Sequence, residues 1–118
     1  MARHNETGKK GELLAVDYLQ QQGFTILHCN WRHSHYEIDV IAIRQDILHF
    51  IEVKTRQSLA WGQPEESVSK EKIRSVVKAG VAFQYEYPQW KRVQYDVLSI
   101  TLTDSQTPEF FYIEDVYL

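Results

Sequence analysis

Three charged side chains stand inside apolar, strand-like runs. Asp39 lies in "YEIDVIAI" (36–43), and Glu52 and Lys54 lie in "ILHFIEVKT" (47–55). Charged groups are rarely buried unless they are paired or hold a metal. Strand side chains alternate between the two faces of a sheet, so Glu52 and Lys54 project the same way. A two-residue turn at Gln45–Asp46 sets 44 opposite 47 and 43 opposite 48. Continued along both strands, that register sets Asp39 opposite Glu52, on the face that carries Lys54. Opposed residues have Cβ atoms only about 4.5–5.5 Å apart. Two carboxylates at that distance repel unless something positive sits between them.

A divalent cation would supply that charge. Mg²⁺ takes a few carboxylates together with waters and phosphate oxygens. Lys54 would stand beside it to orient water or offset developing negative charge. Glu12 lies on a helical stripe with Ala15, Val16 and Leu19 and would complete the site. An Asp–Lys–Glu ion-pair network that merely holds the hairpin accounts for the same residues. Zinc is not indicated. His33 and His35 form an H-x-H that a turn explains, and His49 falls on the strand face away from Glu52.

The elements that must position these groups follow from local pattern. Residues near Thr7 to Gln22 read as a helix, with Thr7 as its N-cap and Gly23 just past its end. Phe24–Trp31, Tyr36–Ile43 and Ile47–Thr55 are rich in β-branched and aromatic residues and read as strands. Arg32–His35 reads as a turn, and the link between the second and third strands lacks the favoured Asn-Gly or Asp-Gly pair. A loop at 56–67 contains Gly62 and Pro64. A second helix then runs from Lys70 to Tyr87, capped by Ser67 or Ser69, with an apolar stripe of Ile73, Val76, Val77, Gly80 and Val81. Lys91–Leu102 is a fourth strand, and "FFYIEDVYL" is a last strand or a short extension. Three consecutive strands make an antiparallel meander. A helix long enough to cross over makes the fourth strand parallel to the third. The expectation is an α/β fold with a mixed sheet flanked by helices.

With 118 residues the chain is expected to form one domain, 1–118. Its one cysteine, Cys29, excludes an internal disulfide and fits a cytoplasmic setting. The first residues lack a signal pattern, and no apolar run approaches the roughly 20 residues that span a bilayer. The net charge is −3, but residues 54–78 carry 6 basic and 3 acidic side chains. Such a local patch can bind phosphate whatever the total charge, although a solvated helix face has the same composition.

The residues Asp39 and Glu52-Val53-Lys54 resemble the D…(D/E)-x-K core of the PD-(D/E)XK nuclease superfamily, which has the restriction-endonuclease-like fold. Within it, the chain resembles the YraN family of small bacterial proteins. The matching pieces are "GKKGELLAVDYL" with Glu12, "NWR" at 30–32, "EIDVIA" at 37–42, "FIEVKTR" at 50–56, "VSKEK" at 68–72 and "YDV" at 95–97. The resemblance implies an αβββαβ core. It implies that Asp39 and Glu52 bind Mg²⁺ or Mn²⁺ with help from the Val53 carbonyl, and that Lys54 is catalytic. Glu12 would act as the first-helix acid does in archaeal Holliday-junction resolvases. Two positions depart from the family pattern: Tyr36 replaces a glycine, where it could crowd the site, and Gln94-Tyr95 replaces Arg-Phe.

These readings lead to a metal-dependent endonuclease that hydrolyses phosphodiesters in DNA, including branched or repair intermediates. Arg32, Arg56, Lys70, Lys72, Arg74 and Lys78 would steer the nucleic-acid backbone. The acidic total charge favours a structured or single-stranded substrate held at one patch. The alternative is an inactive nucleic-acid- or protein-binding module that keeps the nuclease fold. Homodimers are implied by the resemblance to resolvases. Asp96 is expected to anchor the second helix by a salt bridge or to support a ligand, and Trp61 to cap the site, stack on a base or pack over the sheet edge.

Overall fold

A computed structural model describes residues 2–57, 69–103 and 107–116, with side chains from residue 9 onward. Its elements in order are α1 (Ala2–Gln21), β1 (Thr25–His33), β2 (Tyr36–Arg44), β3 (Ile47–Arg56), α2 (Lys70–Glu86), β4 (Val93–Thr101) and β5 (Glu109–Ile113). The strands form one five-stranded sheet in the order β1-β2-β3-β4-β5. Only the β3–β4 pair is parallel, because α2 carries the chain back across the sheet, and the other three pairs are antiparallel. This is the expected mixed α/β sheet with the αβββαβ order.

The sheet separates two cores. On one side α1 buries Ala15 and Leu19 against Phe24, Val40, Ala42, Ile51, Leu98 and Ile100. On the other, α2 buries Val76, Ala79 and Phe83 against Ile38, Ile41, Leu48, Phe50 and Tyr95. β3 is covered on both faces, so residues 48–52 are buried in succession, with His49 and Glu52 the polar members of the run.

Both helices sit slightly rotated from the expected phase. In α1 the buried residue of the first stripe is Gly11, not Glu12, which is exposed. A Cβ at Gly11 would collide with Thr55 Oγ1, so glycine lets α1 lie directly on β3. One helical residue is about 100° of arc, enough to turn Glu12 off the buried face. In α2 the buried set is Val76, Ala79, Gly80 and Phe83, while Val81 is exposed. The start of α2 is capped by Ser69, whose Oγ accepts from Lys72 N–H at 3.1 Å. Helix α1 begins before Thr7, which therefore is not its cap.

The β2–β3 hairpin turns on Gln45 and Asp46, both with positive φ (53° and 65°). That conformation gives the tight two-residue turn whose twist suits a hairpin, here without a glycine. The register is the expected one: Arg44 opposite Ile47, Ala42 opposite His49 and Val40 opposite Ile51. The first hairpin is tighter than expected, because Arg32 and His33 belong to β1 and the turn is Ser34–His35.

Candidate carboxylate site

Asp39 lies where the regular pairing of β2 stops. On the β3 side the ladder ends at Val40–Ile51. On the β1 side Cys29 and Trp31 pair with Val40 and Ile38, and the intervening Asn30 has φ 56°. Asparagine tolerates that left-handed conformation better than most residues. Ile38 and Ile41 both join the α2-side core, so strict alternation of β2 is interrupted between them. The strands part here, and the Asp39 carboxylate fills the gap. Its Oδ2 accepts the Val53 N–H at 2.8 Å, taking a donor that the ladder would otherwise have used. In an extended strand a residue's N–H and C=O leave by the same edge, so the Val53 carbonyl also faces this gap.

Glu52 meets Asp39 in this gap, and the two carboxyls interact directly. The Glu52 side chain is only 9% exposed. Its Oε1 is buried without a hydrogen-bond partner. Burial, and then the neighbouring Asp39 charge, push the Glu52 carboxyl up to about 8. Asp39 is also raised, chiefly by burial, while the Val53 N–H pulls it back. Full ionisation of the pair is therefore disfavoured near neutral pH. Two close carboxylates cannot both ionise cheaply in a poorly solvated place.

The ammonium group that reaches this pair is not Lys54. Lys72, one turn into α2, places Nζ 3.5 Å from Glu52 Oε2. Lys54 projects on the Glu52 side of β3 but is exposed and forms no salt bridge among the described residues. Glu12 is exposed on α1, and its field falls on Cys29, whose thiol is raised first by burial and then by Glu12. Ser99 pairs with Lys54 across the β3–β4 ladder, and its Oγ is buried without a partner. The sequence signal for Ser99 was a hydroxyl inside the apolar run "VLSI". Lys72 had no such signal, because only the packing of α2 on the sheet brings it to Glu52.

The donors gathered here are hard oxygens, one of them buried and unsatisfied. They fit a divalent cation that keeps part of its water shell. Among the described residues no group of three or more His, Cys, Asp or Glu side chains comes together. A cation at Asp39 and Glu52 would take its remaining ligands from the Val53 carbonyl, water and substrate.

The candidate phosphate-steering residues divide. Lys70, Arg74 and Lys78 recur every four residues and form one exposed stripe on α2. Lys78 stands over the Tyr36 ring, 5.7 Å from its centroid. Tyr36 lines an open groove with His33, Val81 and Tyr85. Arg32 is engaged with Glu37 at 3.0 Å. Arg56 ends β3 and its carbonyl accepts from Leu102 N–H at 2.7 Å. Trp61 lies outside the described residues.

Asp96 performs neither expected role. It lies on the α1 side of the sheet, opposite from Glu52, in a buried polar cluster. Its Oδ2 is 2.7 Å from His49 Nδ1 and also accepts the Tyr112 hydroxyl. Its Oδ1 accepts from Gln94 and from the Asp115 N–H, each at 2.9 Å. Burial alone would raise Asp96, but the bonds from His49, Tyr112, Asp115 and Gln94 outweigh it and hold the carboxyl below its ordinary range. The cluster ties Tyr112 and the Asp115 backbone to β4, and Gln94 belongs to it. His49 is a packed residue, with Phe24 edge-on at 4.9 Å.

The fold and the site define a small α/β protein with a parted β-hairpin that confronts a half-buried carboxyl, Asp39, with a buried one, Glu52. Residues 11–100 match the model of the uncharacterised protein family UPF0102. A UPF0102 protein of Bacteroides thetaiotaomicron is 41% identical over 100 residues, covering 85% of this chain and 83% of its own. One from Parabacteroides distasonis is 38% identical over 118 residues, covering 99% and 96%. One from Rhodococcus opacus is 36% identical over 118 residues, covering 99% and 100%. The chain belongs to the UPF0102 family, also called the YraN family.

Proposed function

We propose that this protein is a divalent-metal-dependent phosphodiesterase that cleaves DNA, of the PD-(D/E)XK kind. The observation that carries the reading is the Asp39/Glu52 pair, half-buried at Asp39 and buried at Glu52, with the unsatisfied Glu52 Oε1. Such an arrangement is costly without a cation and favourable with one. Asp39 and Glu52 would hold Mg²⁺ or Mn²⁺, with the Val53 carbonyl completing the protein ligands. A bound ion supplies Lewis-acid polarisation of the phosphoryl group and a nucleophile at neutral pH. The Val53 N–H fixes one Asp39 oxygen, so the carboxylate is oriented before any ligand arrives. Lys54 and Lys72 would offset charge on the phosphoryl oxygens. Lys70, Arg74 and Lys78 form a cationic stripe on the same helix as Lys72, suited to the nucleic-acid backbone.

A second reading is a binding module without catalysis. The exposed positions of Glu12 and Lys54 favour it. Cleavage of branched, single-stranded and linear DNA in Mg²⁺, Mn²⁺ and EDTA separates the two. The nuclease reading expects metal-dependent cleavage by the wild type, abolished in Asp39→Ala and reduced at least a hundredfold in Lys54→Ala. Equal residual cleavage in wild type and Asp39→Ala would remove the nuclease reading and leave the module.

A further inference from the structure

We propose that Lys72 is a tethered counter-cation of the Asp39/Glu52 pair, and that its ammonium and a divalent cation hold the pair in mutual exclusion. The inference rests on the metal reading above and adds to it a competitor built into α2. Three observations carry it. Lys72 Nζ lies 3.5 Å from Glu52 Oε2, the only salt bridge to the pair among the described residues. The other Glu52 oxygen is buried and unpartnered, so the carboxylate has no other cationic support there. The Lys72 backbone is fixed by the Ser69 cap, while its side chain is 49% exposed. The ammonium can therefore leave along its four-carbon stem without moving the helix.

A divalent charge at Glu52 and the Lys72 ammonium would repel at short range with little water between them. Each binds the same carboxylate, so each lowers the other's occupancy by the same factor. Once displaced, Lys72 would rejoin the cationic α2 surface beside Lys70 and Arg74. Cation binding would thus turn a charge that shielded the empty pair into a contact for an anionic ligand.

The test is calorimetric Mn²⁺ titration of the full chain at low ionic strength. Lys72→Met removes the charge and keeps the stem; it should tighten Mn²⁺ binding about tenfold, within the range usual for coupled sites. Lys72→Arg should stay within about threefold of wild type, and Lys54→Met should change affinity less than about twofold. Reciprocity supplies a second readout. Diamagnetic Mg²⁺ should shift the Lys72 ε-methylene resonances of the wild type but not those of Glu52→Gln. Unchanged or weaker Mn²⁺ binding by Lys72→Met overturns the competition and leaves the metal reading standing. Absence of Mn²⁺ binding in the wild type, or equal binding by Glu52→Gln, overturns both.

Discussion

Replacing Glu52 by glutamine keeps the side chain's shape and removes its proton equilibrium. A carboxyl raised from 4.5 to about 8 by folding stays protonated in the native state over a range where the unfolded chain has already released the proton. Its contribution is therefore fully present below about pH 4.5 and is lost as pH rises through about 8. At about 1.4 kcal/mol per pH unit, the whole loss approaches roughly 5 kcal/mol. The Glu52→Gln variant lacks that loss. Without divalent metal it should match wild type within about 1 kcal/mol at pH 5 and exceed it by several kcal/mol at pH 9, a gap of roughly 10 °C or more in Tm. Thermal melts in EDTA at half-unit pH steps read the difference directly, and subtracting the two curves cancels every titrating group that does not interact with Glu52, leaving the titration of Glu52 with Asp39. A saturating cation narrows the gap: at a hundred times Kd it stabilises the wild type by about 2.7 kcal/mol and the variant not at all, roughly half of the loss at pH 9. Parallel pH profiles for the two proteins in EDTA would refute the view that Glu52 carries its charge at a cost.

Three further outcomes follow from the same geometry. Asp39→Ala should destabilise by about 1–3 kcal/mol at acid pH by leaving the Val53 N–H without its acceptor, and by less as pH rises and Glu52 is freed of the Asp39 charge; faster hydrogen exchange of the Val53 amide identifies the cause, and Asp39→Asn should restore protection. Asp96→Asn should cost about 3 kcal/mol at pH 7 in urea melts, because a buried, fully bonded carboxylate loses its charge beside His49 and Tyr112. Asp96 is lowered by folding, so that cost should shrink as pH falls through its native titration, and it should not alter metal affinity. Gly80→Ala should cost about 1–3 kcal/mol, since a Cβ there would press on the Tyr95 hydroxyl and on Phe50 Cδ2 at 3.0 Å; the additional substitution Tyr95→Phe should recover part of it.

The hairpin was legible because one short turn fixes every pair along two strands, and alternation then assigns the faces. Asp39 against Glu52, and His49 turned away from both, followed from counting alone. The helices were less legible because an error of one residue rotates a stripe by about 100°. That separates a buried Glu12 from the buried Gly11 actually found, and a buried Val81 from the buried Ala79, although Val76 and Gly80 lie on the buried face as expected. Glycine and alanine are poor markers of a buried face, yet here they are what permits close approach. The contacts made by Lys72 and Asp96 were not legible for a different reason. Their partners, Glu52 and His49 with Tyr112, lie on other elements, and no local pattern specifies which side chain a helix or strand delivers across a gap.

The turn at Gln45–Asp46 stands six residues along β2 from Asp39, about 20 Å of extended chain. It nevertheless acts as the ruler of the site. A single residue inserted there would slide β3 by one step and send Glu52 to the α1 side while Asp39 stayed in place. Selection on the carboxylate pair is therefore also selection on the length of a distant surface loop. Loops usually tolerate insertion, and this one should not. Across relatives its composition is free to drift toward Asn-Gly, but its two-residue count should hold wherever both carboxyls are kept.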